Sequence, residues 1–117
     1  MEVLPGINRR ELRRYLARLS DRWPLEVARL GGARVADEQG APPQRERGPE
    51  FIVVLVSSAW DGVPWLERVY QAASLWDALE MGAPADVHCY TPAEYRRKVA
   101  SMPAVREVAW HGLDLLH

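Results

Sequence analysis

One apolar run in the middle of the chain constrains the fold more than any other feature. It covers residues 51–56, reads FIVVLV, and is bounded by a Gly-Pro pair and a Ser-Ser pair. Aromatic and β-branched residues favour extended structure, because branching restricts side-chain freedom in a helix. A short run that is apolar at every position is typical of a strand buried on both faces. The sequence therefore predicts a central β-strand here, with Glu50 as the one ionisable group at its start.

Length and charge narrow the class of protein. A chain of 117 residues has the size of one domain with a modest core. Its net charge of −1 gives no attraction to nucleic acid or to a membrane surface. No apolar run approaches the ~20 residues of a membrane-spanning helix, and the N-terminus lacks a signal-peptide pattern. The single cysteine, Cys89, excludes an internal disulfide. We therefore expect one cytoplasmic domain over residues 1–117.

Apolar spacing and capping residues predict the other elements. Residues 36–48 are polar and rich in proline and glycine, which predicts a flexible loop. Helices are predicted where apolar residues recur every three or four positions behind a capping residue, and strands where apolar and polar residues alternate. The predicted helices cover residues 9–22, 64–81, 92–101 and 104–111, and the predicted strands cover residues 25–30, 51–56, 85–90 and the C-terminal end.

The order of these elements predicts an α/β (α+β) fold. The first two strands form an antiparallel pair, although the loop between them is too long for a tight turn. The third strand follows a crossover helix, and such a connection places it beside the others with right-handed sense. We therefore expect a small mixed sheet of three to four strands flanked by helices.

The C-terminal half carries a resemblance to a known family. It contains ADVHCYTPAEYRRKV at residues 85–99 and VREVAWHGLDLL at residues 105–116, after a strand ending in Gly-Gly, a polar loop, the apolar strand and a helix. This succession resembles the minimal nucleotidyltransferase domains of the DNA polymerase beta superfamily, from roughly Leu25 to the end. In that family a valine-flanked Asp, a Thr-Pro-x-Glu helix start and a final helix ending in Gly occur in this order.

The resemblance implies a nucleotidyltransferase fold and a particular site. In the family, a Gly-Ser turn after the first strand holds a nucleotide triphosphate through backbone donors. Two acidic residues, spaced by one at the start of the second strand, and a third on a neighbouring strand bind two Mg²⁺ ions. The two ions neutralise phosphate charge and position the attacking and leaving oxygens in line.

Carried onto this chain, the resemblance gives two groups of candidate residues. Gly31, Gly32 and Arg34 are the candidate nucleotide-binding residues, although Gly32 stands where the family has the serine hydroxyl. Glu50 and Asp86 are the candidate metal ligands.

The shared bridging carboxylate is missing, because its position falls on Ile52, which cannot bind a metal. Losing this carboxylate is expected to disable two-metal catalysis, and no catalytic residue is assigned. The residues themselves leave simpler roles open. Glu50 suits a surface charge at the start of a strand, and Asp86 suits an ion pair with Arg34 or His88.

Three functions follow as hypotheses. The first is a pseudoenzyme that acts as an interaction module, in the manner of minimal nucleotidyltransferase domains that pair with a helical HEPN-type protein in toxin–antitoxin modules. Five tryptophans and the amphipathic first helix suit such a partner or a self-dimer. The second is an active Mg²⁺-dependent nucleotidyltransferase that transfers a nucleotide from an NTP to a protein or small molecule. The third is nucleotide binding without transfer.

Overall fold

A four-stranded mixed sheet forms the centre of the computed structural model, which describes residues 6–42 and 46–117. Its order is β3-β2-β1-β4, where β1 pairs antiparallel with β2 and β4, and β2 pairs parallel with β3. The predicted α+β class, the small mixed sheet flanked by helices, the antiparallel pair of the first two strands and the place of the third strand beside them are confirmed. The strands are β1 (Val27–Gly31), β2 (Phe51–Val56), β3 (Ala85–Tyr90) and β4 (Leu113–Asp114).

Six helices flank this sheet within the described residues. Two of them, at residues 9–20 and 92–101, begin at the caps that the sequence predicts. The Asn8 side chain accepts a hydrogen bond from the backbone N–H of Glu11, and Thr91 and Glu94 form a complete capping box. The helices are α1 (Arg9–Ser20), α2 (Ala33–Glu38), α3 (Trp65–Ser74), α4 (Ala78–Met81), α5 (Pro92–Ser101) and α6 (Pro103–His111).

Alternate residues of β2 supply two separate cores. Phe51, Val53 and Leu55 belong to a large core that includes side chains of α1, α3 and β1. Val54 belongs to a small core with Tyr90 and the α6 valines. β2 is therefore buried on both faces, as its uniformly apolar sequence predicts.

The predicted loop over residues 36–48 is wrong in its first part. α2 continues through Glu38, and its short length explains why no apolar periodicity marks it in the sequence. Gly32 precedes α2 with a φ of 103°, a left-handed backbone conformation that favours glycine. The part of the predicted loop at residues 43–45 lies outside the described residues.

The predicted helix over residues 64–81 is two helices. α3 ends at Ser74, and the Asp77 side chain then accepts a hydrogen bond from the N–H of Glu80 to cap α4. Smaller differences are that α1 ends at Ser20 and that β1 begins at Val27, two residues later than predicted. In the described part of the chain, every helix is too short or too polar to cross a membrane.

Candidate functional site

The positions that the family resemblance assigns to the site lie side by side on the sheet. Ile52 of β2 is the register partner of Gly31 on β1 and of Asp86 on β3. These residues therefore form a row across three adjacent strands, near the start of β2. An isoleucine occupies the middle of this row, between the turn that would hold phosphates and the remaining acidic residue.

The Gly31-Gly32 turn is packed tightly against the segment before β2. A Cβ atom on Gly32 would lie 2.6 Å from the backbone oxygen of Glu50, and one on Gly31 would lie 2.5 Å from a methyl carbon of Val108. The backbone N–H groups of Ala33 and Arg34 donate to the carbonyl oxygens of Pro49 and Glu50, at 2.9 and 3.1 Å. Two of the donors that a phosphate group would need at this turn are thus already used.

The Arg34 side chain lies in the protein interior and holds the backbone of α4. Its guanidinium donates to the carbonyl oxygens of Met81 and Gly82, both at 3.3 Å, and of Gly6 at 3.2 Å. It also stacks on the Phe51 ring, with its central carbon 5.1 Å from the ring centroid. The structure gives Arg34 a structural role, and Arg34 does not reach the space beside Gly31 and Gly32.

Glu50 is held between arginines. Its carboxylate accepts hydrogen bonds from Arg47, with a closest approach of 2.8 Å, and lies 3.6 Å from Nε of Arg34. Arg47 also pairs with Asp37 at 2.8 Å. These two carboxylates raise the pKa of the Arg47 guanidinium, mainly because they accept hydrogen bonds from it, Glu50 first and then Asp37. Glu50 therefore acts here as the counter-ion of two arginines.

Asp86 is paired with a histidine on its own strand. His88 Nε2 lies 3.1 Å from the Asp86 carboxylate, and His88 Nδ1 lies 2.8 Å from the hydroxyl of Tyr90. Alternation along β3 places these three side chains on one face. Burial raises the pKa of the Tyr90 hydroxyl to about 12, so this hydroxyl stays protonated. The pairing of Asp86 with His88, one of the two partners that the sequence left open, is confirmed.

A cleft of about 650 Å³ opens between α2 and α6, next to the Gly31-Gly32 turn. Gly31, Gly32 and Ile52 form part of its floor, whereas Arg34, Glu50 and Asp86 are not among its lining residues. The structure thus brings two of the five candidate residues to this cleft. Asp37, Arg47, Glu107 and His111 also line it.

The contribution of α6 to this cleft is not predicted from the sequence. Glu107 and His111 are four residues apart, which places them on the same face of a helix. This spacing is visible in the sequence, but it does not predict a site by itself. Nothing in the local sequence indicates that this face of α6 lies opposite α2.

The acidic and histidine side chains do not form a metal site in the described part of the chain. No group of three or more His, Cys, Asp or Glu residues converges there in a way that could hold an ion. Mg²⁺ requires several oxygen ligands in near-octahedral geometry. Glu50 is occupied by arginines and Asp86 by His88, so these residues do not fit the two-metal site that the resemblance implies.

The large core contains the only cysteine of the chain. Cys89 is fully buried, and burial raises the pKa of its thiol to about 12. A neutral, inaccessible thiol is a poor nucleophile. Cys89 therefore serves as a small apolar core residue.

Comparisons with known proteins give no further assignment. No family model, curated protein or solved structure matches this chain.

Proposed function

We propose that this protein is a non-catalytic interaction module with a nucleotidyltransferase-like fold and a degraded metal site. The observation that carries the proposal is the row Gly31–Ile52–Asp86. In the family that the sequence resembles, the turn, the bridging acid and the third acid are expected at these three positions. An apolar side chain at the bridging position leaves no ligand to join two metal ions.

Two further contacts support a loss of catalysis. Glu50, the other candidate ligand, already neutralises Arg34 and Arg47. The N–H groups of Ala33 and Arg34 bind the protein's own carbonyl groups. A triphosphate at this turn would have to displace these contacts, which costs free energy for each buried polar group left unpaired.

The partner class in this proposal is a helical HEPN-type protein, with a self-dimer as the alternative, in the cytoplasm. The apolar face of α1 is not the binding surface, because Leu12, Tyr15 and Leu19 are buried in the protein's own core. Several large apolar side chains remain exposed and are available to a partner. They are Trp65, Leu66, Tyr70, Leu79 and Trp110.

Titration with ATP and Mg²⁺ tests this proposal. We expect no change in melting temperature or tryptophan fluorescence at millimolar ATP, with or without Mg²⁺, because neither ligand finds a complete site. Asp86→Ala should behave like the wild type in the same titration. Mg²⁺-dependent binding that disappears in Asp86→Ala would contradict the proposal.

Nucleotide binding without transfer is a second candidate. The volume of the cleft beside Gly31 and Gly32, about 650 Å³, favours it, whereas the carboxylates of Asp37 and Glu107 in its walls oppose the binding of phosphates. ATP binding that persists without Mg²⁺ and in Asp86→Ala would support this candidate. An active Mg²⁺-dependent nucleotidyltransferase, with Glu50 and Asp86 as its only metal ligands, predicts in addition the transfer of labelled nucleotide to an acceptor. We expect no such transfer.

A further inference from the structure

The cleft between α2 and α6 has walls of small apolar side chains. Its shape is an open groove over the end of the sheet, with a volume of about 650 Å³. This volume lies within the ~300–1,000 Å³ of sites that bury small molecules or a few side chains. The apolar walls include Ala33, Ala36, Pro49, Ile52, Ala104 and Val108.

The charged side chains around this groove differ in whether they have a counter-ion. Arg47, the cation in the described wall, is already bound by Asp37 and Glu50, both at 2.8 Å. The Glu107 side chain is exposed and forms no hydrogen bond or ion pair with any residue in 6–42 or 46–117. The described wall therefore offers an apolar surface with one carboxylate that lacks a counter-ion.

A nucleotide is poorly matched to these charges. Its phosphates would approach the Asp37 and Glu107 carboxylates, while the Arg47 guanidinium is already shared between two acidic groups. Like charges that approach within a few ångströms repel, and this repulsion is stronger where water is partly excluded. A positively charged occupant gains attraction at the same positions.

We propose that this groove binds an apolar protein segment that carries arginine or lysine, supplied by the partner. The aliphatic side chains of the segment cover Ile52, Ala104 and Val108, and its cation pairs with Glu107. This inference rests on the proposed function and specifies the chemistry of its partner. Charge complementarity of this kind sets specificity and association rate more than total affinity.

A fluorescein-labelled hexapeptide of alternating leucine and arginine is a suitable probe, measured by fluorescence anisotropy. The comparison peptide has glutamate in place of each arginine. We expect the arginine peptide to bind at least about tenfold more tightly, and its binding to weaken as salt is raised, because a partly exposed ion pair is screened.

Three variants locate the binding. Glu107→Gln should weaken the arginine peptide about three- to tenfold, the range for loss of a partly desolvated ion pair. Glu67→Gln is the matched control, since Glu67 is also an exposed helical glutamate but lies outside the groove, and it should change binding less than about twofold. Ala104→Trp should abolish binding by filling the groove. Ala104 and Glu107 are exposed, so these variants should fold normally, as circular dichroism can verify.

Several results would overturn the inference. They are equal affinity for the two peptides, unchanged binding by Glu107→Gln, and full binding by Ala104→Trp. A dimer in sedimentation that Ala104→Trp dissociates would mean that a second copy occupies the groove instead. Competition by ATP for the peptide would overturn both this inference and the proposed function. Absence of peptide and ATP binding would overturn this inference alone.

Discussion

The two faces of the sheet are built from alternate residues of one strand, yet they differ in size and closure. The face under α1 and α3 holds a large core with aromatic pairs, among them Tyr15 against Trp76 at 5.0 Å and Phe51 against Trp76 at 5.2 Å between ring centroids. The face under α5 and α6 holds a small, largely aliphatic core around Val54. Ile52 packs against this small core and also lines the groove.

Because of this difference, we expect the large core to supply most of the stability and the face with the groove to supply binding. Aromatic side chains bury the most apolar area per residue, so most of the folding free energy is expected from the large core. In the small core, Val108 packs closely against Gly31, and this contact holds α6 against β1. Among the described residues, Gln39, which directly follows α2, donates a hydrogen bond to the His111 carbonyl of α6 and so links the two walls of the groove.

Truncation of Phe51 should have the largest effect on stability. Phe51→Ala removes a fully buried ring and is expected to cost about 4 kcal/mol of unfolding free energy in urea. Val54→Ala, at a fully buried position on the other face of the same strand, should cost about 2 kcal/mol, because fewer carbon atoms are removed. Equal costs would mean that the large core repacks around the space left by the Phe51 ring.

Gly32→Ala should have the next largest effect, because the new Cβ would meet the backbone of Glu50 and Phe51 at less than 3 Å. We expect a loss of about 2–3 kcal/mol, the range for strained backbone at an over-determined position. Gly40→Ala is the control: Gly40 also has a positive φ, at 78°, but has open space around its Cβ position. The melting temperature should fall more in Gly32→Ala than in Gly40→Ala, because only the Gly32 Cβ would contact the segment before β2. Equal melting temperatures would mean that the backbone around Gly32 shifts to make room for the methyl group.

The ion pair of Arg68 with Glu94 should have a smaller, pH-dependent effect. The Arg68 guanidinium, which is buried, donates to Glu94 at 2.6 Å, and this hydrogen bond is the main cause that lowers the pKa of the carboxyl below its ordinary value of 4.5. A lowered folded-state pKa stabilises the protein fully above pH 4.5, and the stabilisation declines as pH falls through the lowered value.

Glu94→Gln keeps a side chain that can complete the capping box, so it isolates the charge. We expect it to cost about 1–2 kcal/mol at pH 7 in urea unfolding, with the cost shrinking below pH 4.5. Glu67→Gln, at an exposed glutamate in the first turn of α3, is the control and should change the free energy of unfolding at pH 7 far less. A cost for Glu94→Gln that stays constant down to acid pH would contradict the assignment of this ion pair.

Much of the fold could be predicted because its signals are local. The apolar run at residues 51–56 gives β2 at the residues that the sequence indicates, and the caps at Asn8 and Thr91 start α1 and α5 as predicted. α2 was missed because its six residues carry too little periodicity, and its glycine cap lacks a side-chain signal. The break between α3 and α4 was missed because Asp77 acts as a cap within an otherwise continuous helical pattern.

The sequence by itself determined the strands, the caps and the absence of a carboxylate at Ile52. These follow from residue types and from contacts within a few positions of the chain. The tertiary structure decided what each candidate residue does. Arg34 binds carbonyl groups 47 and 48 residues away, and α6 meets α2 across 72 residues between His111 and Gln39. Such partners depend on how the elements pack, and packing is a property of the whole chain that no local pattern contains.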